Sequence, residues 1–119
     1  MSRNRQSARA AGTRFETSIA AYLAEHIDDR IERRRMTGAR DRGDLSGWRY
    51  AGQRICVEAK DCARASLGPW VNEVEVERLN DDAGVGIVIA KRRGTLDPGE
   101  QVVLMTLRDL VSLLNGGRP

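Results

Sequence analysis

Gln53-Arg54-Ile55-Cys56-Val57-Glu58-Ala59-Lys60 reads as a β-strand, and the rest of the chain can be laid out from it. Arg54, Cys56, Glu58 and Lys60 alternate with Ile55, Val57 and Ala59. A period of two puts the charges on one face and the core on the other. Just upstream, Tyr50 to Gln53, with Gly52 in the turn, predicts a hairpin that pairs this strand with one carrying Asp44. Ile31 to Met36 reads as a short polar strand. Thr37-Gly38 and Arg42-Gly43 then mark a flexible basic loop leading to Asp44, Leu45 and Trp48.

Outward from this centre, Phe15, Ile19, Tyr22, Leu23 and Ile27 recur at helical spacing, which predicts a first helix ending near Asp28. Thr13 is placed to cap it, with Glu16 in the capping-box position. Downstream, Ser66, Gly68 and Pro69 open a second helix that runs to about Asp82, with Ala83-Gly84 as its exit. Val71 to Glu77 alternate as a strand would, but Pro69 and the Glu, Arg and Leu content favour a helix. Val85 to Ala90 predicts a buried strand, Val102 to Met105 another, and Thr106 to Leu114 a closing helix with Gly116 past its end. The expected order is αβββαββα without internal repeats: an α/β domain with a mixed central sheet flanked by helices. It covers residues 13–119, behind a basic flexible arm over residues 1–12.

At 119 residues the chain has room for one domain and one core. Only 40% of residues are hydrophobic and five are aromatic, so Val, Ile, Leu and Ala must build that core. The net charge of +3 is modest, but 18 of the 20 basic residues are Arg and they are clustered. Arg9 and Arg14 belong to an N-terminal stretch without acids; Arg33, Arg34, Arg35, Arg40 and Arg42 crowd the next connection; Lys91, Arg92 and Arg93 follow a predicted strand. Such clusters form an electrostatic footprint for nucleic acid. No segment has the length of a membrane span or the pattern of a secretory signal, so a soluble cytoplasmic protein is expected. Cys56, Cys62 and the single His26 do not make a zinc knuckle, and both cysteines are expected to be reduced and structural.

The residues that point to chemistry are Asp44, Glu58 and Lys60. Glu58 and Lys60, two apart on one strand, share a face. A hairpin can bring Asp44, 14 residues earlier, into contact with them. Phosphodiester cleavage needs an activated water, compensation of charge on the phosphate and stabilisation of the leaving oxygen. Magnesium held by carboxylates supplies these. Lys60 is placed to hold or deprotonate the water, or to neutralise the phosphate. Glu73 and Glu77 fall on one helical face, read as solvated, the alternative being that one of them faces the metal site.

Gly43-Asp44-Leu45 followed by Ile55-Cys56-Val57-Glu58-Ala59-Lys60 resembles the signature of the PD-(D/E)XK nucleases. Gly12-Thr13-Arg14-Phe15-Glu16 resembles the first helix of their Holliday junction resolvase branch, of phage and archaeal type. Gly43 stands where the nominal motif has Pro. The resemblance implies a restriction-endonuclease-like fold and a magnesium-dependent endonuclease, with Mn²⁺ as a substitute. Asp44 and Glu58 would be metal ligands, with the carbonyl of Ala59 and the helical Glu16 as further ones, and Lys60 would serve the water. For Glu16, a cap and a ligand are alternative roles. A chain without a separate sequence-reading module fits recognition of DNA shape, and a homodimer would set two sites on a branched junction. A phage or prokaryotic recombination role follows by analogy. Two alternatives remain open: a nuclease of this family acting on flap, mismatched or linear duplex DNA, and a non-catalytic basic module that binds nucleic acid.

Overall fold

The computed structural model describes residues 4–35 and 38–119. Helix α1 (Arg5–His26) leads into two short strands, β1 (Glu32–Arg33) and β2 (Leu45–Ser46), which pair antiparallel as a separate ribbon. Strands β3 (Arg49–Tyr50) and β4 (Gln53–Lys60) form a hairpin, followed by helix α2 (Leu67–Asn80), β5 (Val85–Ala90), β6 (Val102–Leu104) and helix α3 (Leu107–Asn115). The main sheet has the order β3-β4-β5-β6, with β4 and β5 parallel and both outer pairs antiparallel. The chain is thus an α/β domain with a mixed four-stranded sheet.

The central strands are covered on both faces. Ile55 and Val57 of β4, with Val85, Ile87 and Ile89 of β5, pack against Phe15, Ile19, Ala20 and Leu23 of α1. On the opposite face Cys56 and Val88 pack against Trp70 and Val74 of α2. Burial of both faces is what a parallel β-α-β unit requires. It also corrects the expectation that the core lies on one face of β4 and the charges on the other: Cys56 is fully buried and Glu58 nearly so. Trp70 belongs to the core, whereas Cys62, expected to be structural, is exposed.

Three boundaries differ from the sequence reading. First, α1 begins at Arg5, capped by Asn4, whose side chain accepts from the Ser7 N–H at 2.8 Å. Residues 5–12 are therefore helix and not arm. Arg, Gln and Ala favour a helix even without an apolar period, and Ala11 is buried. Residues 1–3 of the expected arm lie outside the described set. Second, Thr13 is in mid-helix, its hydroxyl donating to the Arg9 carbonyl, so Glu16 is not part of a capping box. Third, the partner of β4 in the hairpin is β3, and the Asp44 segment reaches β4 by a separate route. The turn itself is as expected: Ala51 (φ 52°) and Gly52 (φ 81°) are both left-handed, as a two-residue hairpin needs. The strand expected over residues 31–36 is reduced to Glu32–Arg33, and Met36 lies outside the described residues. Elsewhere the agreement is close: β5 has the expected limits, and α3 is capped by Thr106 and closed by left-handed Gly116.

Candidate metal centre

Glu58 and Lys60 project from the α2 face of β4, close to the carboxyl ends of the parallel pair. The Lys60 Nζ is 3.7 Å from Glu58 Oε1 and 2.6 Å from Glu73 Oε2. Asp44 is fastened to the same strand by two hydrogen bonds. Its N–H donates to the Val57 carbonyl at 2.8 Å, and its Oδ2 accepts from the Ala59 N–H at 2.8 Å. Gly43 makes that approach feasible. Its φ is 92°, and a Cβ there would lie 2.7 Å from the Val57 oxygen. The residue that replaces the motif's nominal proline is thus one the local backbone demands.

Two further carboxylates complete the cluster, and neither was singled out from the sequence as a ligand. Asp41, in the loop before Gly43, and Glu77 of α2 meet Glu58 so that one oxygen from each lies within 4.8 Å of the others. Asp41 is oriented locally: its Oδ1 accepts from the Gly43 N–H at 2.9 Å. Glu77 follows Glu73 by one helical turn, so both face β4. The expectation of a solvated face holds for Glu73, which is exposed while it pairs with Lys60, and is corrected for Glu77, which is 1% exposed.

All three of Asp44, Glu58 and Glu77 have raised pKa values, with burial as the largest cause. Burial, then the neighbouring Glu58 carboxylate, pushes Asp44 up to about 8, against the pull of the Ala59 N–H. Burial and contact with Glu58 push Glu77 up to about 11. Burial also raises Glu58, although its contacts with Glu77 and Lys60 act in the other direction. Partial burial works against the Lys60 ammonium, yet Glu73 and Glu58 hold its pKa above the ordinary lysine value. The cluster is thus short of positive charge.

The decisive detail is at the atoms. Glu77 Oε1, Glu77 Oε2 and Glu58 Oε2 are buried and accept no hydrogen bond from an N–H or hydroxyl among the described residues; the neighbours of Glu77 are the Glu58 and Asp41 carboxyls. Buried carboxylate oxygens need a proton, a donor or a cation. A set of oxygen donors without thiolate or imidazole suits the hard divalent ions Mg²⁺ and Mn²⁺. The residues therefore fit such an ion, with Asp41, Glu58 and Glu77 as the carboxylates that meet and Asp44 in contact with Glu58.

Of the residues expected at the site, Asp44, Glu58, the Ala59 backbone and Lys60 are brought together. Glu16 stands apart from the three-carboxylate cluster. It lies inside α1, 2.9 Å from the Arg33 Nε, though its charge still contributes to raising Asp44. The basic residues fall into distinct settings. Arg9, Arg14, Arg35, Arg40 and Arg93 are exposed. Arg33 is tied to Glu16, and Arg34 is half-buried with its Nη2 3.1 Å from Asp81. Arg42 and Lys91 are half-buried, and the Lys91 N–H donates to the Lys60 carbonyl, which puts that basic turn at the edge of the cluster. Arg92 is engaged by Glu100 and Gln101.

No family model, curated protein or solved structure matches this chain. None of its helices is long and apolar enough to cross a membrane among the described residues.

Proposed function

We propose that the chain is a metal-dependent DNA endonuclease of the PD-(D/E)XK type, with a restriction-endonuclease-like arrangement of its α/β domain. One observation carries this reading: three buried carboxylate oxygens of Glu58 and Glu77 lack partners beside a lysine from the same strand face. A structural ion-pair network would have satisfied them.

In this reading Asp41, Asp44, Glu58 and Glu77 supply the oxygens for Mg²⁺, with Mn²⁺ as a substitute. When bound, the ion supplies a water of lowered pKa and compensates charge on the phosphate and leaving oxygen. Lys60, held as an ammonium between Glu58 and Glu73, donates hydrogen bonds to the attacking water or to a phosphate oxygen. In the metal-free protein Glu73 and Glu58 favour this charged form. Asp44 keeps the loop of Asp41 pressed against β4.

Arginines on the 34–42 side and the Lys91–Arg93 turn on the other bracket the cluster, which supports a phosphate-lined substrate path. A branched junction is the substrate that best suits a small domain gripping backbone. An apolar stripe on α3, exposed Leu107, Leu110 and Leu114, supports pairing of two copies. The test is cleavage of a labelled four-way junction beside a linear duplex of matching sequence, with Mg²⁺, with chelator and with Asp44→Ala. Paired nicks on the junction alone, lost in both controls, are expected. Equal cutting of both substrates would keep the nuclease and remove the junction. Tight binding without cutting would favour a non-catalytic module.

A further inference from the structure

A second charged feature lies one turn beyond Glu77. Asp81, which caps the end of α2, is buried, with Arg34 Nη2 at 3.1 Å and Arg54 Nη1 at 3.8 Å from its Oδ1. Beside it is a recess of about 240 Å³ whose lining includes Arg34, Arg42, Arg49, Arg54 and Trp48. Its lining holds four arginines and a single acidic residue, Asp81, which Arg34 and Arg54 already contact. The side chains of Arg42 and Arg49 make no hydrogen bond or ion pair among the described residues, and Arg34 Nε is buried without an acceptor.

Like charges gathered in a concave site raise the local potential for an anion. Guanidinium groups match phosphate oxygens in shape and in donor geometry. The recess is joined to the carboxylate cluster in two ways. Arg42 directly follows Asp41, and Arg54 shares the strand face of Glu58 four residues away, about 13 Å along β4. That separation is too great for one phosphate to meet both groups.

We propose that this arginine recess binds a phosphate of the nucleic-acid strand distinct from the phosphate at the carboxylate cluster. The identity of the polymer rests on the nuclease reading; the preference for a phosphate rests on the recess alone. Bound there, a phosphate fixes the register in which the strand enters the cluster. Both an internal diester and a terminal monoester have the required chemistry.

Titration in chelator, with no divalent cation, separates this inference from cleavage. The indole N–H resonance of Trp48 is followed in ¹H–¹⁵N spectra as TpT, pTpT or inorganic phosphate is added to the full chain, then to Arg49→Ala and Arg54→Ala. The exposed Arg49 side chain makes no hydrogen bond or ion pair among the described residues, so Arg49→Ala remains informative if Arg54→Ala fails to fold. A saturable shift with the dinucleotides is expected, with Kd raised about fivefold or more in either variant. Tighter binding of pTpT than of TpT assigns a terminal phosphate, and equal binding assigns an internal one. No shift with any of the three probes, or a Kd unchanged in both variants, overturns the proposal. A recess that binds phosphate in a protein that never cuts would refute the nuclease reading alone.

Discussion

Glu77 of α2 and Glu58 of β4 face each other inside the domain, one carboxyl against the other, and three of their four oxygens have no hydrogen-bond donor. Without a cation this contact is stable only if a proton is retained: burial raises both groups, and their contact raises Glu77 while it lowers Glu58, so Glu77 is the one that keeps the proton.

Replacing Glu77 by Gln should therefore help the metal-free fold and harm the metal-bound one. In chelator the variant is expected to melt higher by several degrees, equivalent to about 1–2 kcal/mol. The stabilisation that Mg²⁺ gives the wild type should be largely absent. Thermal melts with and without Mg²⁺ check both halves, and a variant that melts lower in chelator would contradict the account.

The pH dependence of stability follows with a definite sign. Asp44 and Glu77 have folded-state pKa values raised to about 8 and about 11. The unfolded chain releases these protons near pH 4. Their stabilising contribution is therefore complete below about pH 4 and is lost as pH rises through the folded values. Each proton held by the fold alone makes stability fall by about 1.4 kcal/mol per pH unit. In chelator, urea midpoints should decline between pH 5 and 8, and Mg²⁺ should flatten or reverse the decline. A metal-free protein that grows more stable over that range would show that the carboxylates are not held as described.

Gly43 and Gly52 offer a matched pair. Both have left-handed φ, but a Cβ at Gly52 meets nothing within 4 Å, whereas one at Gly43 lies 2.7 Å from the Val57 oxygen. Gly52→Ala should cost about 1 kcal/mol, the left-handed penalty alone. Gly43→Ala should cost at least about 2 kcal/mol more and loosen Asp44 from Ala59. Denaturant unfolding of the two variants measures the difference, and equal costs would remove the claim that Gly43 fixes the site.

At the level of activity, Lys60→Met and Asp44→Asn should each lower cleavage by about 100-fold or more while DNA binding persists. Removing the Asp44 charge should leave binding equal or tighter, because a negative group near phosphate has gone. Single-turnover rates alongside binding isotherms separate the two effects.

Much of this organisation was legible because it is encoded locally. The period-two row of β4, the Ala51-Gly52 turn, the apolar run of β5 and the Thr106 and Gly116 caps of α3 all announce themselves within a few residues. The pairing of Glu58 with Lys60 follows from the strand period alone. Helix α2 was harder, because its apolar residues are spread over two faces: Trp70 and Val74 are buried, while Val76 and Leu79 are 58% and 64% exposed. Glu77, 1% exposed, shares the face of Trp70 and Val74, a placement that its charge disguises. Asp41 was hidden for a different reason, since its meeting with Glu77 depends on a loop folding across 35 residues of intervening chain. The start of α1 was missed because Arg and Ala give helical propensity without a periodic signal.

The most direct test is calorimetric titration of Mn²⁺ into the metal-free protein near neutral pH, repeated with Glu58→Gln and Glu77→Gln. The account predicts saturable binding in the wild type, release of protons on binding, and a loss of affinity of at least about tenfold in each variant. Absence of binding in the wild type, or binding unchanged by both substitutions, would contradict a metal centre at these carboxylates.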